Sequence, residues 1–90
     1  MAGYRVVFSK SAQKQFMSLD ASVQLKMQSF INRYLSETQT PRQVGKALQG
    51  SLAGLWRYRV GNYRLVCQIR DDELEIVAVK IGHRGKVYAR

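Results

Sequence analysis

Arg57, Arg59 and Arg64 fall within eight positions in "WRYRVGNYRLVCQI" (residues 56–69), a stretch whose remaining residues read as buried sheet. A guanidinium stays protonated in proteins, and its planar fork donates parallel hydrogen bonds to carboxylate or phosphate. Three of them so close together suit one kind of chemistry, which is to hold an anion or to stabilise one as it develops. Further on, "GHRGKVY" supplies His83, Arg84, Lys86 and Tyr88. Imidazole is the side chain that titrates near neutral pH, and a tyrosine can stack on a base or relay a proton. Other chemistries lack their parts. No carboxylate cluster or His pair has metal-ligand spacing, so neither metal nor cofactor is expected. No Ser/His/Asp motif occurs, and "GSLAG" and "GHRG" are too poor in glycine for Walker or dinucleotide loops.

The arginines need elements to place them. "YRVVF" reads as a short strand, and Ser9 or Ser11 can cap a helix that carries Ala12, Phe16 and Leu19 on one face. Asp20 or Ser22 can cap a second helix, with Val23, Met27, Phe30, Ile31, Tyr34 and Leu35 at helical spacing. "SETQTPRQVG" reads as a loop and "KALQGSLAGLW" as a connector. The period then becomes two: "LWRYRV", a Gly61-Asn62 turn, "YRLVCQIR", an Asp71-Asp72 turn and "ELEIVAVKI". The expected fold is α+β in one domain, residues 1–90: an N-terminal strand, a helical hairpin and a three-stranded antiparallel meander, with both helices on one face of an antiparallel sheet.

Register shows where the arginines go. With Gly61-Asn62 as the turn, Val60 opposes Tyr63, Arg59 opposes Arg64, Tyr58 opposes Leu65, Arg57 opposes Val66 and Trp56 opposes Cys67. Opposed residues share a face. Trp56, Tyr58, Val60, Tyr63, Leu65, Cys67 and Ile69 form a core face, joined by Leu74, Ile76 and Ala78. Arg57, Arg59, Arg64, Val66, Gln68 and Arg70 form the other, joined by Glu73, Glu75, Val77 and Val79, with Val79 opposite Arg64. This second face has little to bury. Directly opposed like charges destabilise a hairpin, and an ordinary solvated face would alternate signs. An anion between Arg59 and Arg64 resolves the conflict. His83 and Arg84 then lie just beyond that end of the sheet.

The totals agree. Ninety residues with 46% apolar composition make one globular domain. The net charge of +9 attracts polyanions, and residues 41–90 hold ten of the fifteen basic residues. Lone Cys67 reads as core in a reducing compartment. No 18-residue apolar run and no signal-like N-terminus appear, so a cytoplasmic protein without membrane contact is expected.

"LWRYRVGNYRLVCQI" followed by "VKIGHRGKVY" resembles the RelE/ParE superfamily of toxins from type II toxin–antitoxin pairs, over essentially the whole chain. In its RelE-like branch, the resemblance implies a ribosome-dependent endonuclease that cuts mRNA in the decoding site. In its ParE-like branch it implies a poison of DNA gyrase. The resemblance implies catalytic roles for Arg64, Arg84 and Tyr88 and RNA-phosphate contacts for Arg57 and Arg59; to these the residues themselves add His83 as a second candidate for proton transfer and Arg70 and Lys86 as further phosphate contacts. The implied partners are the ribosome, mRNA and an acidic antitoxin, with operator DNA reached only through that antitoxin. RelE-like nucleases carry lysines on the second strand of the chain, the first of the meander, where this chain has Arg57 and Arg59, neither of which can act as a general base.

Overall fold

Ser9 starts the first helix as expected: its Oγ accepts the Ala12 backbone N–H at 3.0 Å. The computed structural model describes residues 3–83. Strand β1 (Arg5–Phe8) leads into helix α1 (Lys10–Met17) and helix α2 (Ala21–Phe30). Asp20 occupies the cap position of α2 without a side-chain capping bond. Gln24 ties the two helices instead, its Nε2 donating to the carbonyls of Phe16 and Leu19 at 3.0 and 3.1 Å. The last turn of α2 widens over Ile31–Leu35, with the Ser36 N–H reaching the Ile31 carbonyl at 2.7 Å. Met27, Ile31 and Leu35, four apart, are buried, and Tyr34 turns outward onto Phe30.

Strands β2 (Lys46–Ala47), β3 (Trp56–Val60), β4 (Tyr63–Arg70) and β5 (Glu75–His83) complete a five-stranded sheet in the order β1-β5-β4-β3-β2. The meander β3-β4-β5 is antiparallel, whereas β1 runs parallel to β5, so the sheet is mixed. Helix α1 packs on β5 and α2 on β3, on one face. Tyr58, Leu65, Cys67, Ile76 and Ala78 are fully buried beneath them. Burial pushes the Cys67 thiol and the Tyr58 hydroxyl up, so Cys67 is a neutral core residue. The Tyr58 hydroxyl donates to the Pro41 carbonyl at 2.6 Å.

The β3–β4 register matches the expected one at all five pairs, from Trp56 opposite Cys67 to Val60 opposite Tyr63. The β4–β5 register differs in two ways. The connecting turn takes four residues, 71–74, not two, and Arg70 opposes Glu75. Leu74 is therefore not on the core face; it ends the turn with φ 53 and is exposed. A shift of two residues preserves which side chains face the helices, so Ile76 and Ala78 stay in the core. A bulge then interrupts the pairing between Val66 and Cys67, where Lys80 and Ala78 are the successive partners on β5. Without it, strict alternation would send Lys80 into the core and Ile81 out of it. With it, Ile81 is buried opposite Leu65, and Gly82, not Val79, opposes Arg64.

The loop before β2 is pinned from two sides. Arg42 grips Asp71 with both terminal nitrogens at 3.0 Å, and Tyr4 donates to the same carboxylate at 2.6 Å. The Arg42 guanidinium, then the Tyr4 hydroxyl, hold the Asp71 carboxyl below the usual carboxylate range. Trp56 Nε1 donates to the Val44 carbonyl at 2.8 Å. Between these anchors, Gly45 has φ 84, and a Cβ there would lie 2.4 Å from the Arg57 carbonyl oxygen and 2.6 Å from the Trp56 indole nitrogen. Gly50 also has positive φ, 68, but a Cβ there would meet nothing within 4 Å. Gly45→Ala should therefore cost roughly 2–4 kcal/mol, combining backbone strain with overpacking. Gly50→Ala should cost only about 1 kcal/mol, from strain alone. Chemical denaturation of both variants checks the ranking, which equal losses would contradict.

Candidate functional site

The β3–β4 hairpin places Arg59 directly opposite Arg64, on the face away from the helices. At such a pair the Cβ atoms lie about 4.5–5.5 Å apart. Arg57 follows on the same face, two residues along β3. The face is less solvated than alternation alone suggests: Val66 is 1% exposed and Arg64 only 5%. The Arg64 atoms Nε and Nη1 are buried and have no hydrogen-bond partner among the described residues.

An unpaired buried cation costs several kcal/mol. Most proteins avoid it by pairing the charge, and acids are scarce here. The strand acids sit at the far end of the sheet. Glu75 bonds Arg5 at 2.8 Å and lies 3.8 Å from Arg70; Glu73 lies 4.0 Å from Arg70. Among the described residues, no acid lines the cleft around Arg64.

That cleft is an open groove of about 580 Å³. Arg57, Arg59 and Arg64 line it together with the segment 46–52. Lys46 opposes Arg57 across the short β2–β3 ladder and so joins the same face as a fourth cation. Lys46 carries no periodic signal in the sequence, because an edge strand of two residues leaves none. By composition the segment 46–52 is likewise only a connector. The signal available was Gly45, whose positive φ and close approach to Arg57 and Trp56 fold this segment onto β3.

The other expected site residues divide. Arg70 stands at the acidic end of the sheet, in ion pairs with Glu73 and Glu75, away from the cleft. His83 opposes Tyr63, with ring centroids 5.0 Å apart in an edge-on contact. That register puts it on the helix side of the sheet, not beside Arg59 and Arg64. Arg84, Lys86 and Tyr88 lie outside the described residues.

A family model described as the ParE toxin of the type II toxin–antitoxin system, parDE, matches residues 6–88. Toxin RelG of Mycobacterium tuberculosis is 32% identical over 87 residues, covering 97% of this chain and 98% of that protein. A chain in the crystal structure of the toxin–antitoxin complex RelBE2, also from M. tuberculosis, superposes with a TM-score of 0.82 at 31% identity, covering 96% of this chain and 97% of that one. The isolated Escherichia coli RelE toxin shares the fold, with a TM-score of 0.75 at 20% identity and coverage of 96% and 89%.

The lack of a partner for Arg64 Nε and Nη1 among the described residues has a thermal signature. Arg64→Met replaces a buried charge with an apolar side chain of similar length and should leave the melting temperature unchanged or higher. Inorganic phosphate at ten times its dissociation constant should stabilise the natural protein by about 1.4 kcal/mol, read as a higher melting temperature, and leave the variant unmoved. A variant that melts well below the natural protein, with no phosphate response in either, would make Arg64 a structural residue.

Proposed function

This chain belongs to the ParE toxin family of type II toxin–antitoxin systems and to its RelE-like branch, and from that premise we propose that it is a ribosome-dependent endoribonuclease that cuts mRNA in the decoding site. The observation that carries this reading is buried Arg64, unpartnered among the described residues, in a cleft lined by cations.

RNA brings its own nucleophile, the 2′-hydroxyl. A protein that holds this hydroxyl in line with the neighbouring phosphorus, and stabilises the charge gathering on the phosphoryl oxygens, needs mainly fixed cations. In this mechanism the 2′-oxygen bonds to phosphorus as the bond to the 5′-oxygen breaks. The products are a 2′,3′-cyclic phosphate, or the 3′-phosphate from its opening, and a 5′-hydroxyl end. Arg64 clamps the scissile phosphate, and Arg57 and Arg59 orient the strand. Arg84 and Tyr88 complete the site from the tail, with Arg84 as a second clamp and Tyr88 stacking on a base or moving a proton. His83, which pairs with Tyr63 on the helix side of the sheet, is set apart from the arginine cleft and takes no proton-transfer role here. Lys86 adds phosphate contact from the tail. Arg70 lies farther along the same sheet face and is left for RNA outside the cleft.

The toxin's partner is an antitoxin, as in the complex named RelBE2. With a net charge of +9, this chain favours an acidic one through long-range attraction. Such an antitoxin silences the nuclease by covering the arginines, by displacing the tail or by making the toxin too large for the decoding site. Operator DNA is reached through the antitoxin, and the site of action is the cytoplasm.

The ParE description of the matching family model favours a second reading, in which the basic face docks on DNA gyrase without cutting RNA. The order of cellular failure separates the two. After brief induction, incorporation of labelled amino acid should stop before DNA synthesis falters, and new mRNA 5′ ends should map within codons. Early arrest of DNA synthesis with trapped gyrase would transfer the assignment to the second reading.

A further inference from the structure

The cleft is larger than an anion requires. About 580 Å³ lies within the range of roughly 300–1,000 Å³ typical of clefts that hold small organic ligands. Its two sides also differ in chemistry. The β3–β4 side presents Arg57, Arg59 and Arg64. Beyond Lys46, which shares the arginines' face, the remaining lining runs through the neutral residues 47–52. A phosphate ion would use only the first side.

The second side is held in shape. The Leu48 N–H donates to the Leu55 carbonyl at 3.0 Å and closes a loop, and inside it the Ala53 N–H donates to the Gly50 carbonyl at 3.1 Å. Leu48 and Leu52 are half-buried and give this wall an apolar base. Gln49 and Ser51 are exposed on either side of Gly50, and neither side chain has an intramolecular hydrogen-bond partner among the described residues. A glutamine amide both donates and accepts, the combination that reads the edge of an unpaired base. At Gly50 the space where a Cβ would project is empty to 4 Å, so the backbone there is open to a ligand.

We propose that the segment 46–52 is the base-facing wall of a nucleotide subsite, and that Gln49 and Ser51 set the base preference at the nucleotide beside the phosphate on Arg64. Lys46, opposite Arg57, takes the next phosphate along the strand. This inference rests on the reading that the cleft takes RNA. It assigns a division of labour within it: the arginine side binds any strand, and the facing wall discriminates among bases.

The test uses the full-length protein and four nucleoside 3′,5′-bisphosphates, one per base, alongside the abasic ribose 3,5-bisphosphate and inorganic phosphate. Binding is read from backbone amide shifts of residues 46–52 and by calorimetry. At least one nucleotide should bind roughly tenfold more tightly than the abasic probe, the worth of about one net hydrogen bond. The double substitution Gln49→Ala with Ser51→Ala should erase that preference and leave affinity for the abasic probe and for phosphate unchanged. Equal affinity for nucleotide and abasic probes would overturn the base wall and leave the phosphate site standing. If no probe binds, inorganic phosphate included, the wall falls together with the RNA reading beneath it.

Discussion

A buried guanidinium needs an acceptor, and Arg64 has none for Nε and Nη1 among the described residues. Its neighbour across the hairpin is Arg59, so the nearest strand partner adds repulsion. A fold organised only for its own stability would place threonine or an apolar residue at that position, since removing a buried charge is often neutral or stabilising. The arrangement is stable because the rest of the sheet holds it. Tyr58 against Leu65 and Trp56 against Cys67, packed beneath α2 and α1, fix the register in which the arginines share the opposite face. The core-side pairs fix the register, and the two arginines are carried opposite one another with it.

The same constraint accounts for features at the sheet's margins. The bulge in the β4–β5 ladder keeps Ile81 in the core and Lys80 out of it, and sets Gly82 opposite Arg64. Gly45 lets the chain press onto Arg57 and Trp56, which folds the segment 46–52 across from the arginines and turns a flat basic face into a cleft. The Arg42–Asp71–Tyr4 clasp ties the loop leading into that segment to the turn between β4 and β5. It is largely exposed and contributes little to stability by itself, but it limits where Lys46 can stand.

Much of this was legible in the residues. A two-residue Gly-Asn turn flanked by alternating apolar side chains admits one register, and a slip by one would bury Arg57, Arg59 and Arg64. The arginine face and the helix-covered face followed directly. Three things did not. The four-residue turn at 71–74 was hidden because "DD" is an equally good two-residue turn, and only packing selects between them. The bulge depends on which of Lys80 and Ile81 the core accepts, a tertiary choice without local signature. The parallel edge position of β1 depends on how the helical hairpin returns the chain, which periodicity does not encode. The site inherited these gaps: His83 moved to the Tyr63 side of the sheet, and Lys46 with its neighbours entered from a segment that read as a connector.

The central claim is that Arg64 is a preformed cation awaiting the scissile phosphate. It is tested most directly by observing the Arg64 Nε–Hε group by NMR while titrating a short RNA whose 2′-hydroxyl at the cleavage position is replaced by hydrogen. The account predicts that this resonance moves downfield and that its solvent exchange slows as RNA binds, before the exposed arginines respond. An Arg64 signal that stays fixed while exposed arginines shift would show that RNA binds elsewhere on the basic surface and contradict the account.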